Sequence, residues 1–214
     1  MLDVAIIDYQ INNLHSVQAA CRHAGMRSAI TNNFTEIHNA KAVILPGVGA
    51  FAKAIEELKR TGLDQCIRDF IDSGRPFLGI CLGFQLLYDY SEEFGRNEGL
   101  GLVAGHVTRI TPTHSATDRC PVPHVGWNAL VRVSDSWQTT LLANNTDHAL
   151  MYFVHSYCVI PKNDKFVLSH TTYGNQTFCT AIQKNNIFGA QFHPEKSGPV
   201  GLKVYQTLKS KISD

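Results

Sequence analysis

The stretch RPFLGICLGFQLLYDY, residues 75–90, sets one cysteine between two glycines where an apolar run gives way to polar residues. Within it, PFLGI (76–80) reads as a strand buried on both faces, because it offers no polar side to water. LGFQLLYDY (82–90) reads as a helix behind that strand. Cys81 therefore falls on a strand-to-helix junction. Gly79 and Gly83 let the backbone turn tightly there without Cβ clashes, and a new helix would aim its N-terminal dipole and free N–H groups at the sulfur.

Outward from this junction the same alternation repeats. VAIID (4–8) is a second buried strand, and NLHSVQAACRHAG (13–25) has apolar residues at helical spacing before it stops at a glycine. AVILPGVGAF (42–51) is a strand running into a Gly-rich loop. FAKAIEELKRTG (51–62) and GLDQCIRDFIDSG (62–74) are helical. Alternating strands and helices predict an α/β fold with a mostly parallel central sheet flanked by helices, whose sites lie beyond the carboxyl ends of the strands. The second half changes character. GLGLVAGHVTRI, NALVRVS, MYFVHSYCVI and FCTAIQKNNIFGAQFH suggest a smaller antiparallel region, and GPVGLKVYQTLKSKI (198–212) a closing helix. No repeat or Pro/Ser-rich linker divides the 214 residues, so a single domain over 1–214 is expected.

Composition narrows the function classes. With 44% hydrophobic and 17% charged residues a packed core is expected, and a formal net charge of +1 without charge blocks argues against nucleic acid or membrane as a main partner. No apolar run approaches the ~18 residues of a membrane span. MLDVAIIDYQ lacks the basic start of a signal peptide. Six cysteines lie scattered without CxxC spacing, so neither a disulfide framework nor a metal site is expected. These features together point to a cytoplasmic chain with reduced thiols.

Nucleophilic chemistry at Cys81 requires a base, and the base an orienter. GAQFHPEKSG (189–198) offers both. His193 and Glu195 are two residues apart, so on a backbone kept extended by Pro194 their side chains share a face. Glu195 could then hold one ring nitrogen and leave the other for Cys81. The loop LPGVGAF (45–51) adds backbone N–H groups near Val48 and Gly49. With the N–H of Leu82 these could form an oxyanion hole. Each element alone has a plain structural reading: a core cysteine, a surface ion pair, a tight turn.

Taken together, GICLGFQLL, LPGVGAF and QFHPEKS resemble the signatures of class I, triad-type glutamine amidotransferases. The resemblance implies a Cys81–His193–Glu195 triad that releases ammonia from L-glutamine through a γ-glutamyl thioester. It also implies Gln85 and Gly47 at the substrate, with no cofactor. VPHVGWNAL (122–130) and MYFVHSYCV (151–159) are similar to segments of the glutaminase subunits of imidazole glycerol phosphate synthase. That implies a cyclase subunit of (β/α)8 type as heterodimer partner, with Asn13, His124, Trp127, Asn128 and Lys196 near the interface. The chain departs from the family pattern at Gln10 and Asn12, which replace glycines, and at Phe84, which replaces Met. A paralogous subunit feeding a surface-polysaccharide sugar amidotransferase is the alternative acceptor.

Overall fold

The computed structural model describes residues 2–10, 13–114, 119–133 and 137–213. In the first half, β1 (Val4–Ile7), β2 (Ser28–Thr31), β3 (Ala42–Leu45) and β4 (Phe77–Ile80) alternate with α1 (Leu14–His23), α2 (Phe34–Asn39), α3 (Phe51–Thr61) and α4 (Leu63–Asp72). A single turn, α5 (Leu82–Gln85), follows β4. The chain then becomes mostly strand: β5 (Tyr88–Ser91), β6 (Asn97–Glu98), β7 (Val103–Arg109), β8 (Thr113–His114), β9 (Arg119–Cys120), β10 (His124–Ala129) and β11 (Val131–Arg132). After these come β12 (Leu150–His155), β13 (Tyr157–Pro161), β14 (Val167–Tyr173), β15 (Gln176–Lys184) and β16 (Ile187–Ala190), and α6 (Gly198–Lys211) ends the fold.

The main sheet runs β2-β1-β3-β4-β16-β15-β13-β7-β5-β6, with β14 and β11 added beside β15. Its first five strands are parallel, and β15, the next, runs against them. The antiparallel strands thus extend the same sheet. β1 shows why the parallel strands read as unbroken apolar runs. Ala5 and Ile7 pack toward α3 and α4, whereas Val4 and Ile6 pack toward α1 and α6, and all four are fully buried.

One expected element differs. The predicted helix over 82–90 lasts four residues, and Tyr88–Ser91 forms a strand instead. Tertiary pairing overrides the apolar pattern here, because β5 lies between β6 and β7 and the Asp89 carboxylate accepts from the Gly105 N–H (2.9 Å).

The parallel strands deliver their ends to one place. β1, β3, β4 and β16 are neighbours in that order, and just beyond their carboxyl ends lie Tyr9, Gln10 and Asn13, Val48–Gly49, Cys81 and Gln191–Glu195.

Candidate active site

Cys81 sits in a backbone conformation that L-residues rarely adopt, φ 54° and ψ −109°. Neighbouring contacts fix it. Its N–H donates to the Ala190 carbonyl (2.7 Å), and its own carbonyl accepts from the N–H groups of Phe84 and Gln85 (both 3.1 Å). A Cβ on Gly83 would lie 1.8 Å from the Leu45 carbonyl oxygen, so only glycine lets the turn close against β3. With α5 only one turn long, little helix dipole reaches the sulfur, contrary to the sequence expectation.

The two other expected triad members meet. His193 Nδ1 lies 2.8 Å from Glu195 Oε1, and both side chains are sealed from solvent. The pair converges through a 3-10 turn, Pro194–Lys196, rather than on extended backbone. Proline suits that first turn position because its φ is already helical. The His193 backbone is pinned from both sides: its N–H donates to the Tyr152 carbonyl (2.9 Å), and its carbonyl accepts from the Ser197 hydroxyl (2.7 Å). Nε2 is buried without a hydrogen-bond partner among the described residues, and the Cys81 sulfur lies before it. Burial alone would push the imidazole down, but the Cys81 sulfur in front and the Glu195 carboxylate behind raise it to about 10. Cys81 Sγ itself points toward the Val154 carbonyl (3.8 Å).

Four of the other cysteines have a different character. Burial pushes the Cys21 thiol up to about 12, Cys66 to about 11 and Cys158 to about 12, and raises Cys179 as well. Buried apolar thiols of this kind are poor nucleophiles.

A cavity of about 250 Å³ opens on the sulfur, walled by Val48, Gly49, Leu82, Gln85, Glu93 and His155 among others. Both N–H groups of Gln85 are engaged, one by the Tyr157 carbonyl (2.9 Å) and one by Gln191 Oε1 (3.0 Å), so Oε1 is what Gln85 can offer a ligand. Gly47 is not in that wall. A Cβ there would meet the Tyr9 hydroxyl at 2.5 Å and Leu82 Cβ at 2.9 Å, and its carbonyl accepts from the Leu82 N–H (3.3 Å). In a trans peptide the carbonyl and the next N–H point in opposite directions. With the Gly47 carbonyl on Leu82, the Val48 N–H is turned away from it. The three expected oxyanion donors are therefore not presented together in this structure.

These features coincide with a family. The model of class-I glutamine amidotransferases matches residues 5–206. The chain is a class-I glutamine amidotransferase. Among curated relatives it is 44% identical to the imidazole glycerol phosphate synthase subunit HisH of Geobacillus sp. (strain WCH70), over 98% of this chain and 97% of that protein. It is 44% identical to the subunit of the same name from Chlorobaculum tepidum, over 96% and 98%. In fold it resembles a solved glutamine amidotransferase (TM-score 0.73, 14% identity, 99% of this chain and 100% of that one). The PurLQS structure from Thermotoga maritima is also similar (TM-score 0.71, 18% identity, 98% and 99%).

Within this amidotransferase, the residues expected at a partner interface separate. Trp127 is 55% exposed, and Lys196 is exposed. His124 is buried instead, stacked on Phe153 and Tyr173, with Nδ1 3.1 Å from His155 Nε2. The His155 Nδ1–H donates to the Tyr157 carbonyl (2.8 Å), so Nε2 accepts and His124 donates. Burial lowers His124 to about 4 and His155 to about 3. Asn128 is half-buried and donates to the Thr172 carbonyl (3.0 Å), stitching β10 to β14.

Asn13 holds the largest surprise. Its side-chain N–H donates to Glu195 Oε1 (2.7 Å) across 182 residues of sequence, from a left-handed backbone (φ 81°) at the start of α1. Asparagine tolerates that conformation better than most residues. Of the departures from the family pattern, Phe84 is fully buried, edge-on to Tyr88 and seated over Gly189. It is no part of the cavity wall. Gln10 is exposed beside Asp8, and Asn12 lies outside the described residues.

Sequence reasoning missed Glu93, His155 and Gln191. Glu93 sits in what reads as a plain loop, yet its carboxylate reaches the cavity and accepts from the Phe51 N–H (2.6 Å). Gln191 had a readable signal, because it lies two residues before His193 and so shares its face on extended chain.

Proposed function

We propose that the chain hydrolyses L-glutamine at Cys81 and passes the ammonia to a cyclase subunit of an imidazole glycerol phosphate synthase. The observation that carries this reading is His193, held by Glu195 on one nitrogen and turned toward the Cys81 sulfur with the other. The thiolate attacks the side-chain carbonyl carbon of glutamine, a C–S bond forms, and the carbonyl electron pair moves onto oxygen. Collapse breaks the C–N bond as the His193 imidazolium gives its proton to the leaving nitrogen, so ammonia departs and a γ-glutamyl thioester remains. Neutral His193 then takes a proton from water as the oxygen attacks that thioester. Expulsion of the thiolate completes glutamate and restores the starting pair. Glu93 and the Gln85 Oε1 supply acceptors for the substrate's α-ammonium group.

Ammonia free in neutral water is mostly ammonium, which is not a nucleophile, so the acceptor site has to be sheltered. The partner proposed is a (β/α)8 cyclase. An apolar face suits it: Val125 and Trp127 on β10 and Leu150 on β12, the strand that also carries Val154 to Cys81, are each more than half exposed. Lys196 borders the candidate triad in sequence and completes the proposed interface with Asn13. The free cysteines at 21, 66, 81, 158 and 179 fit a reducing cytoplasm. No helix among the described residues is long and apolar enough to cross a membrane.

The test is co-purification of this chain with the cyclase subunit, followed by synthesis of imidazole glycerol phosphate from glutamine. A stable complex that makes product from glutamine supports the reading. Failure of the two chains to associate, or strong glutaminase turnover indifferent to the cyclase, overturns it.

A further inference from the structure

A thiolate in a buried turn needs donors, and α5 is too short to supply the dipole that the sequence promised. We propose that Gln191 is a catalytic donor of this site, its side-chain amide stabilising the negative charge on the Cys81 sulfur. The inference rests on Cys81 being the nucleophile, and goes beyond it by assigning a group outside the expected triad.

Hydrogen-bond logic fixes which end of the amide meets the sulfur. The Tyr157 carbonyl can only accept, so the Gln85 atom 2.9 Å from it is the nitrogen. That same nitrogen lies 3.0 Å from Gln191, which must answer with its oxygen. The Gln191 nitrogen is then left facing Cys81 Sγ, 3.7 Å away, within range for an N–H to sulfur contact. The Gln85 amide thus donates both to the Tyr157 carbonyl and to Gln191, and Gln191 donates in turn to the reacting atom.

The position is as constrained as the orientation. Cys81 and Gln191 each lie one residue beyond the paired parallel strands β4 and β16, where Ile80 faces Ala190. The Cys81 N–H donates to the Ala190 carbonyl, and the Gln191 N–H donates to Thr180 (2.9 Å). Gln191 is fully buried. In such surroundings a correctly aimed N–H acts on charge with little solvent to screen it. His193 and Gln191 approach the sulfur from one short segment, and they differ in kind. The imidazole carries a mobile proton, whereas the amide is a fixed dipole that cannot be titrated away.

Two variants and one reference test the assignment. Gln191→Glu keeps an acceptor for Gln85 and replaces the donor with an oxygen. Gln191→Met keeps the volume and removes the donor without adding charge. Each is assembled with the cyclase subunit. Iodoacetamide labelling of Cys81, located by mass spectrometry, is followed against pH beside glutaminase kcat and KM. The pH of half-maximal labelling is expected to rise by about one unit in Gln191→Glu and about half a unit in Gln191→Met. Turnover should fall about 100-fold and about 10-fold, respectively, with KM within about threefold. A purely structural glutamine would lower melting temperature and leave the labelling profile in place. An unmoved profile in folded Gln191→Met overturns the proposal, even where Gln191→Glu fails to fold. Cys81→Ala separates the two claims. Retained turnover in that variant defeats the nucleophile itself, while a dead Cys81→Ala with unmoved Gln191 profiles defeats only the donor.

Discussion

The two walls of the cavity stand in different states of readiness. On one side His193 and Glu195 are joined at 2.8 Å, sealed from solvent and steadied by Asn13 at 2.7 Å. On the other, the Leu82 N–H that should receive developing charge is occupied by the Gly47 carbonyl, and the Val48 N–H is turned away. On the proposed reading, the pair that handles the proton is in place, whereas the Leu82 N–H is engaged by the Gly47 carbonyl and is not free to stabilise charge. The contrast follows from what holds each wall. Side chains locked by buried hydrogen bonds keep their geometry, whereas Val48 and Gly49 form a partly exposed turn with Gly49 at φ 115°.

Removing the better-built wall should cost most. His193→Ala should lower glutamine-dependent synthesis by about 10⁴-fold or more while sparing synthesis from ammonium salts through the partner. Equal loss of both activities would show a folding defect instead. The next effect concerns the unbuilt wall. Turnover of the isolated chain should rise by about 10² to 10³-fold in the working complex, the worth of one oxyanion donor. A crystal structure of the active complex should show the Gly47–Val48 peptide turned over, and an unturned peptide at full activity would remove the contrast.

Milder effects sharpen the Glu195 side. Glu195→Gln is expected to cost less than His193→Ala, and Asn13→Ala about 10-fold in kcat with KM little changed, because Asn13 orients the carboxylate without touching substrate. An unchanged kcat in Asn13→Ala would remove the orienting role and leave Asn13 an interface residue only. The pH profile should show an alkaline limb near 10. His193, raised to about that value, holds the proton for the leaving nitrogen below it and loses it above.

The smallest effect is on stability in acid. His124 and His155 are lowered to about 4 and about 3, so the unfolded chain takes up their protons first, from the ordinary histidine range downward. Stability from these two groups is whole above about 6.5 and lost as pH falls through about 4 and then about 3. His124→Phe should flatten that acid slope in urea titrations, at a cost of about 1–3 kcal/mol for the orphaned His155 nitrogen.

What the sequence made legible follows the same division. Parallel strands buried on both faces, such as Val4–Ile7 and Phe77–Ile80, announce themselves as apolar runs, and the Cys81 junction and the His193–Glu195 pair lie in readable motifs. Tyr88–Ser91 reads as helix and forms a strand, because an amphipathic-looking run can serve either state until its neighbours choose. His124 has no sequence mark of burial, since a histidine in a strand fits water or an aromatic stack equally well. Asn13 and Gln191 act through contacts 182 and 110 residues away, which no local pattern encodes. The orientation of the Gly47–Val48 peptide is a torsion, and glycine leaves it unwritten.

The most direct test of the account is to quench the working complex in acid during glutamine turnover and map the covalent glutamyl adduct by mass spectrometry. The expected result is an adduct on the peptide containing Cys81 alone, absent in Cys81→Ala along with all glutamine-dependent synthesis. An adduct on Cys21, Cys66, Cys158 or Cys179, or full turnover in Cys81→Ala, would contradict it.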